Sequence, residues 1–135
     1  MTKFLLCNRI CTPDGTVLES NGRYDFEMHK DAVSGEVYFT DGGIVCVRRS
    51  INKVPYRECD VYTDDPFDTV RSSFKWGTYG KCGKLEKKYV ALKDLSCSHI
   101  QAILDTQHHI PDYIRQQFLL EQSYRHFFPE CRINE

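Results

Sequence analysis

The sequence predicts an α+β fold, in which an N-terminal antiparallel β-sheet or meander packs against two or three C-terminal helices. The first half of the chain consists of short β-prone runs, separated by turn-forming residues such as Pro13-Asp14-Gly15 and Asp41-Gly42-Gly43. The second half contains longer stretches in which apolar residues recur with a helical period. We expect a single domain over residues 1–135, β-rich over 1–62 and helical over 63–135.

Five short strands are predicted in the first fifty residues. Residues 4–10 form the first strand, and residues 17–18 form the second after the turn at Pro13 and Gly15. Tyr24, Phe26 and Met28 alternate with charged residues and His29, which is the period-two pattern of a half-buried strand. Residues 37–40 and 44–49 then form a hairpin around the Asp-Gly-Gly turn, and together the strands predict an antiparallel meander.

The middle of the chain is predicted to be a loop, a strand and a short helix. Residues 52–57 form the loop and residues 59–62 the strand. Pro66 follows two aspartates at a helix start, because carboxylates and proline both suit the first turn. Phe67, Val70 and Phe74 lie on one face of that helix, which ends before a glycine- and lysine-rich loop over residues 75–88.

Two further helices are predicted at the C-terminal end, after a brief extended segment at 89–92. Ser96 is the expected N-cap of a helix that runs through Asp105. Pro111 opens the longest helix, which continues to about Phe128 and is stopped by Pro129. The aromatic face of this helix suits either the core or a homodimer interface.

Charge and hydropathy exclude several classes of protein. The formal net charge is −1, so we expect no general affinity for nucleic acid or for an anionic membrane, although a local basic patch is compatible with it. No apolar run approaches the ~18 residues that a bilayer crossing needs. Asn8 and Arg9 interrupt the apolar N-terminus, which argues against a secretory signal and for a cytoplasmic protein.

The seven cysteines are interpreted as reduced thiols. Their number is odd, and none of them form a C-x-x-C pair. His108 and His109 are adjacent, so a regular helix cannot direct both of them at one metal ion. We therefore predict neither a metal site nor a cofactor.

Charged residues of the β-rich half are the first candidate ligand-binding set. Arg23, Arg48 and Arg49 offer guanidinium groups that suit phosphate, but adjacent residues on a strand point to opposite faces. At most one of Arg48 and Arg49 can therefore share a face with Arg23. Asp25, His29 and Asp41 complete this set. The alternative is that the arginines are surface residues paired with carboxylates.

An aromatic glycine segment supplies the second candidate set. Trp76 and Tyr79 can stack on a base, and Lys81 adds positive charge beside glycines that allow an anion to approach the backbone. The segment lacks the spacing of a P-loop. The alternative is a solvated loop with Trp76 anchored in the core.

Three segments, LCNRICTPDGTVLESNGRYDF, YFTDGGIVCVRRS and FKWGTYGKCGKLEKKYVALKDLSCSHIQAIL, resemble a family of small uncharacterised proteins of tailed bacteriophages. The resemblance runs over most of residues 4–125. Where relatives carry a His-Arg-His-Asp cluster, this chain has Gly22-Arg23-Tyr24-Asp25 and lacks both histidines. The resemblance implies a role in host takeover or counter-defence, in the host cytoplasm.

These observations predict a non-catalytic binding protein that sequesters a nucleotide-like anion or occludes a host protein. The alternative is a small hydrolase or nucleotide-modifying enzyme, in which Asp25 or Asp41 acts as base and His29 carries the proton. A third prediction is an interaction protein that uses its aromatic C-terminal helix.

Overall fold

A computed structural model describes residues 2–79 and 86–133. Its antiparallel sheets in the N-terminal part and three α-helices later in the chain confirm the α+β class. The chain divides into two compact units, residues 1–65 and 66–135. Among the described residues, none of the helices combines the length and apolar character that a bilayer crossing requires.

Unit 1 contains seven strands in two antiparallel sheets. The strands are β1 (Leu5–Cys11), β2 (Val17–Ser20), β3 (Phe26–Lys30), β4 (Val37–Asp41), β5 (Arg48–Arg49), β6 (Arg57–Glu58) and β7 (Val61–Tyr62). In the first sheet β1 is central and pairs with β2, β6 and β7, while the second sheet has the order β3-β4-β5. The chain therefore returns to β1 after completing the second sheet, so the predicted meander is divided between two sheets.

The interior of unit 1 lies between the two sheets and is both apolar and polar. Ile10, Leu18 and Tyr38 form its apolar cluster. Asn8, which is fully buried, donates from its side-chain nitrogen to the carbonyl of Gly43 at 2.8 Å and accepts from the Thr40 hydroxyl at 2.6 Å. These bonds satisfy the buried polar groups and fix the position of one sheet against the other.

Two strand predictions and one loop boundary for unit 1 were wrong in detail. The predicted strand at 44–49 is reduced to Arg48–Arg49, because Gly42 and Gly43 both have positive φ and the amides of Val45 and Cys46 donate to the Gly42 carbonyl. That bonding forms a turn where an extended strand was predicted. The loop predicted at 52–57 ends one residue early, because β6 begins at Arg57. The strand predicted at 59–62 is observed only at Val61–Tyr62, as β7.

The exposed face of β3 is also opposite to the one its pattern predicts. The apolar side chains of Phe26 and Met28 are 51% and 57% exposed. His29 instead lies on the inner side, since its cross-strand partner is the buried Tyr38. The apolar alternation therefore identified the strand but not the side that is buried.

Unit 2 contains α1 (Phe67–Ser73), the hairpin of β8 (Lys75–Thr78) and β9 (Lys88–Ala91), α2 (Cys97–Thr106) and α3 (Asp112–Phe127). The predicted loop at 75–88 therefore begins and ends as strand, and residues 80–85 lie outside the described residues. The Ser96 hydroxyl accepts from the amide of His99, which confirms the predicted N-cap. Phe118 is fully buried and packs edge-on against Phe74 and Trp76.

Candidate binding surface

One face of the β3-β4-β5 sheet combines aromatic, aliphatic and charged side chains. The register pairs Phe26 with Asp41, Met28 with Phe39 and Lys30 with Val37, and it pairs Asp41 with Arg48. Because side chains alternate across a strand, these residues share one face. We call this face the outer face; its members are Phe26, Met28, Lys30, Val37, Phe39, Asp41 and Arg48.

Two stacked aromatic rings lie on the outer face. The ring centroids of Phe26 and Phe39 are 5.4 Å apart, with an angle of 30° between the ring planes. Met28 stands beside them and is also exposed. The sheet therefore presents apolar and aromatic surface to solvent at Phe26 and Met28.

Cationic groups flank the aromatic pair. Arg48 is exposed, and its guanidinium donates to the Asp41 carboxylate at 2.5 Å. Lys30 ends β3 on the same face. Arg23 and the highly exposed Tyr24 belong to the turn before β3, where the guanidinium lies 5.9 Å from the ring centroid.

Arg49, in contrast, belongs to the interior of unit 1. It donates to the Asn8 side-chain oxygen at 2.8 Å and to the Asp60 carboxylate. Burial on its own lowers the pKa of Arg49, but the hydrogen bond and the charge of Asp60 raise it above the ordinary value. The guanidinium is therefore a charged structural group, and we leave it out of the proposed site.

Asp25, Asp41 and His29 are not brought together. The Asp25 carboxylate accepts from the Asn21 amide at 2.8 Å. The Asp41 carboxylate binds Arg48 on the outer face, whereas His29 is opposite Tyr38 on the inner side. The structure thus separates the base and the proton carrier that the sequence analysis suggested for an enzyme.

His29 meets two aspartates that the sequence analysis missed. Its Nε2 lies 2.8 Å from Oδ2 of Asp14 and 3.1 Å from the Thr16 hydroxyl. The ligand atoms of Asp14, His29 and Asp31 all lie within 4.8 Å of one another, the arrangement among the described residues that could hold a metal ion. Asp14 stands in a turn motif, so its position alone predicted only a turn role.

The carboxylate oxygens of Asp14 and Asp31 accept hydrogen bonds from other groups of the chain. Asp14 accepts from the Ala32 and Thr16 amides, and Asp31 accepts from the amides of Asp14 and Ser34. The Ala32 amide, followed by the His29 ring, holds the pKa of Asp14 well below its usual range. Burial would raise the pKa of Asp31, but the Ser34 and Asp14 amides lower it.

This network supports the two turns better than it supports catalysis. A catalytic histidine uses one ring nitrogen towards its acid and the other towards its nucleophile. Here the acid, Asp14, and the hydroxyl of Thr16 both meet Nε2 of His29. Each aspartate oxygen also already accepts at least one hydrogen bond, so a metal ion would have to displace bonds that hold the turns.

The second predicted set lies in unit 2. Trp76 is on β8 with its ring against Phe118 at a centroid distance of 5.3 Å, as expected for a core anchor. Tyr79 is half exposed, with the Lys87 ammonium 5.9 Å from its ring centroid. Lys81 lies outside the described residues.

Comparison with protein-family models, with curated proteins and with solved structures found no match to this chain. The resemblance to bacteriophage proteins therefore stays a prediction. What the structure defines is a class: an α+β protein with a solvent-exposed aromatic and cationic sheet face.

Proposed function

We propose that the protein is a non-catalytic binding protein whose outer face takes a nucleotide-like anionic ligand. The observation that carries the proposal is the stack of the exposed Phe26 on the half-buried Phe39 in a hydrogen-bonded sheet, with Arg48 and Lys30 on the same face. A wider role in host takeover or counter-defence rests on the resemblance to phage proteins.

The ligand chemistry follows from the two kinds of group on the outer face. Each of the nucleic-acid bases has a flat surface that can stack on an aromatic ring. Such stacking contributes about 1–3 kcal/mol per base. The guanidinium of Arg48 matches the geometry of a phosphate, and the ammonium of Lys30 adds a compact charge. One nucleotide or a short single strand would use both groups.

The pairing of Arg48 with Asp41 adds selectivity for the anion. The Asp41 carboxylate already forms an ion pair with the Arg48 guanidinium, and both side chains lie on the outer face. A phosphate that carries more charge than a carboxylate can compete for Arg48, whereas a neutral base alone cannot. The ligand therefore needs both a base and a phosphate.

Calorimetric titration tests the proposal with the full chain against nucleoside monophosphates, nucleoside triphosphates and short single-stranded oligonucleotides. Phe26→Ala is expected to weaken the binding roughly tenfold, because it removes half of the stack. Val17→Ala is the matched control: this residue is equally exposed but lies on β2, away from the outer face.

Two results would overturn the proposal. One is a flat titration with every nucleotide and oligonucleotide at low salt. The other is equal binding by the Phe26→Ala and Val17→Ala variants. Binding of oligonucleotides but not of mononucleotides would identify the ligand as single-stranded nucleic acid.

A further inference from the structure

Among the described residues of unit 2, two arginines surround one buried carboxylate. Glu121 is fully buried and accepts from Arg71 at 2.8 and 2.7 Å and from Arg125 at 2.6 Å. The Arg125 side chain is only 3% exposed, and that of Arg71 only 11%. Two guanidinium groups thus share one carboxylate, and a buried excess of charge is costly unless something compensates it.

Among the described residues, the hydrogen bonds of Arg125 use all but one of its donors. A guanidinium side chain has five N–H donors. Nε of Arg125 donates to Glu121, Nη2 donates to the carbonyls of Leu92 and Lys93 at 3.2 and 3.3 Å, and Nη1 donates to the Cys97 sulfur at 3.3 Å. These bonds to described residues use four donors, and the fifth belongs to Nη1, beside Cys97.

Arg125 and Cys97 line a cavity of about 270 Å³ together with Ile100, Gln122 and Arg132. Arg132 is exposed and donates from Nε to the Arg125 carbonyl at 3.3 Å, which holds its guanidinium at the cavity wall. Among the described residues that line it, two are cationic and none is acidic. The cavity is therefore large enough for a small ligand, and its described charged groups are positive.

We propose that this cavity binds a small oxyanion, a carboxylate or a phosphate with a body of a few carbons. Its charged end meets Nη1 of Arg125 and the guanidinium of Arg132. A planar, two-pronged donor suits both carboxylate and phosphate oxygens. The site lies wholly in unit 2, so it does not depend on the outer face of unit 1.

Cys97 offers a built-in reporter for the charge of the cavity. Its thiol can be alkylated by iodoacetate, which is anionic, or by iodoacetamide, which is neutral and almost the same size. A cationic cavity concentrates the anion, so the ratio of the two rates at Cys97 should exceed the ratio at the exposed Cys46 by on the order of tenfold. Peptide mass spectrometry of the full chain measures both sites in one sample.

Two variants and two competing anions complete the test. Arg132→Gln should lower the ratio at Cys97 several-fold, whereas Lys88→Gln, which removes an exposed cation on β9, should leave it unchanged. Inorganic phosphate or butyrate at millimolar concentration should slow the alkylation of Cys97 but not of Cys46. Protection by phosphate alone identifies a phosphate ligand, and protection by butyrate alone a carboxylate.

The proposal is overturned if Cys97 and Cys46 give the same ratio, or if neither phosphate nor butyrate protects Cys97. It is also overturned if Arg132→Gln and Lys88→Gln behave alike. None of these outcomes bears on nucleotide binding by unit 1, because the outer face contains no cysteine and neither variant changes it.

Discussion

Arg48 and Arg49 are neighbours on one two-residue strand, yet their side chains lie on opposite faces of the sheet. Arg48 is 63% exposed and binds Asp41 on the outer face, whereas Arg49 is 12% exposed and binds Asn8 and Asp60 in the interior. The pleat of the strand produces this division. One arginine is thus available to a ligand, and the other supports the fold.

The two arginines should differ sharply in their effect on stability. Arg49→Gln leaves Asp60 buried without its cation, and breaking such a pair from one side costs about 3 kcal/mol of unfolding free energy. Arg48→Gln removes a pair whose guanidinium is largely in solvent, so it should change the unfolding free energy by less than about 1 kcal/mol. Urea unfolding of both variants measures the difference. Equal losses would contradict the interior role of Arg49.

The turn after β4 depends on glycine at position 42. Its φ is +81°, and a Cβ built there would lie 1.6 Å from the Cys46 carbonyl oxygen. Gly42→Ala should therefore destabilise the protein by more than Gly15→Ala, which has a φ of +91° but no atom within 4 Å of the added carbon. We expect about 1 kcal/mol for Gly15→Ala, from the left-handed backbone alone, and clearly more for Gly42→Ala in the same thermal unfolding measurement.

Acid should weaken the turns of unit 1 through Asp14. Its pKa in the folded protein is depressed below the ordinary value of 3.8, mainly by the Ala32 amide and His29. A depressed pKa contributes stability that is present above the ordinary value and is lost as the pH falls below it. The urea midpoint of the native protein should thus fall more between pH 6 and pH 3 than that of Asp14→Asn. Parallel pH profiles would contradict this expectation.

Glu121 should be among the least replaceable residues of unit 2. Glu121→Gln removes the charge that Arg71 and Arg125 share, and about 3–5 kcal/mol is expected when a buried pair loses one partner. Glu130→Gln, at an exposed position, is the control and should change the stability by less than about 0.5 kcal/mol. Chemical denaturation followed by circular dichroism compares the two. A loss below 1 kcal/mol for Glu121→Gln would show that the cluster is solvated.

Nucleotide binding should improve when Arg48 is released from Asp41. Asp41→Asn removes the carboxylate that competes with a phosphate for this guanidinium, so the dissociation constant should fall several-fold. The variant should bind without loss of the stacking contribution, because Phe26 and Phe39 are unchanged. Weaker binding by Asp41→Asn in the same calorimetric titration would place the phosphate away from Arg48.

Local signals in the sequence predicted many of the elements well. The N-cap Ser96, the helix start at Pro66 and the stop before Pro129 each depend on neighbouring residues alone, and each lies within a residue or two of the observed boundary. The division of Arg48 from Arg49 also followed from strand geometry. Features that depend on one or two neighbouring residues could therefore be predicted from the sequence.

The errors concern properties that depend on distant partners. The alternation of Phe26 and Met28 predicts a strand, but the side that faces inward is decided by Tyr38, on another strand. Asp14 and Asp31 are separated by the whole of β2 and β3, so their meeting with His29 could not be inferred from spacing. The same is true of Glu121, which bonds an arginine fifty residues away.

The hydrogen bonds between Asn8, Thr40 and Arg49 hold the sheets of unit 1 together from the inside. None of these inward groups belongs to the outer face. The proposed ligand contacts and the scaffold therefore use separate sets of residues, in alternate positions of the same strands. Substitutions at Phe26 or Arg48 are therefore expected to change the outer face while the fold persists. Selection or a protein designer can diversify this face at little cost in stability.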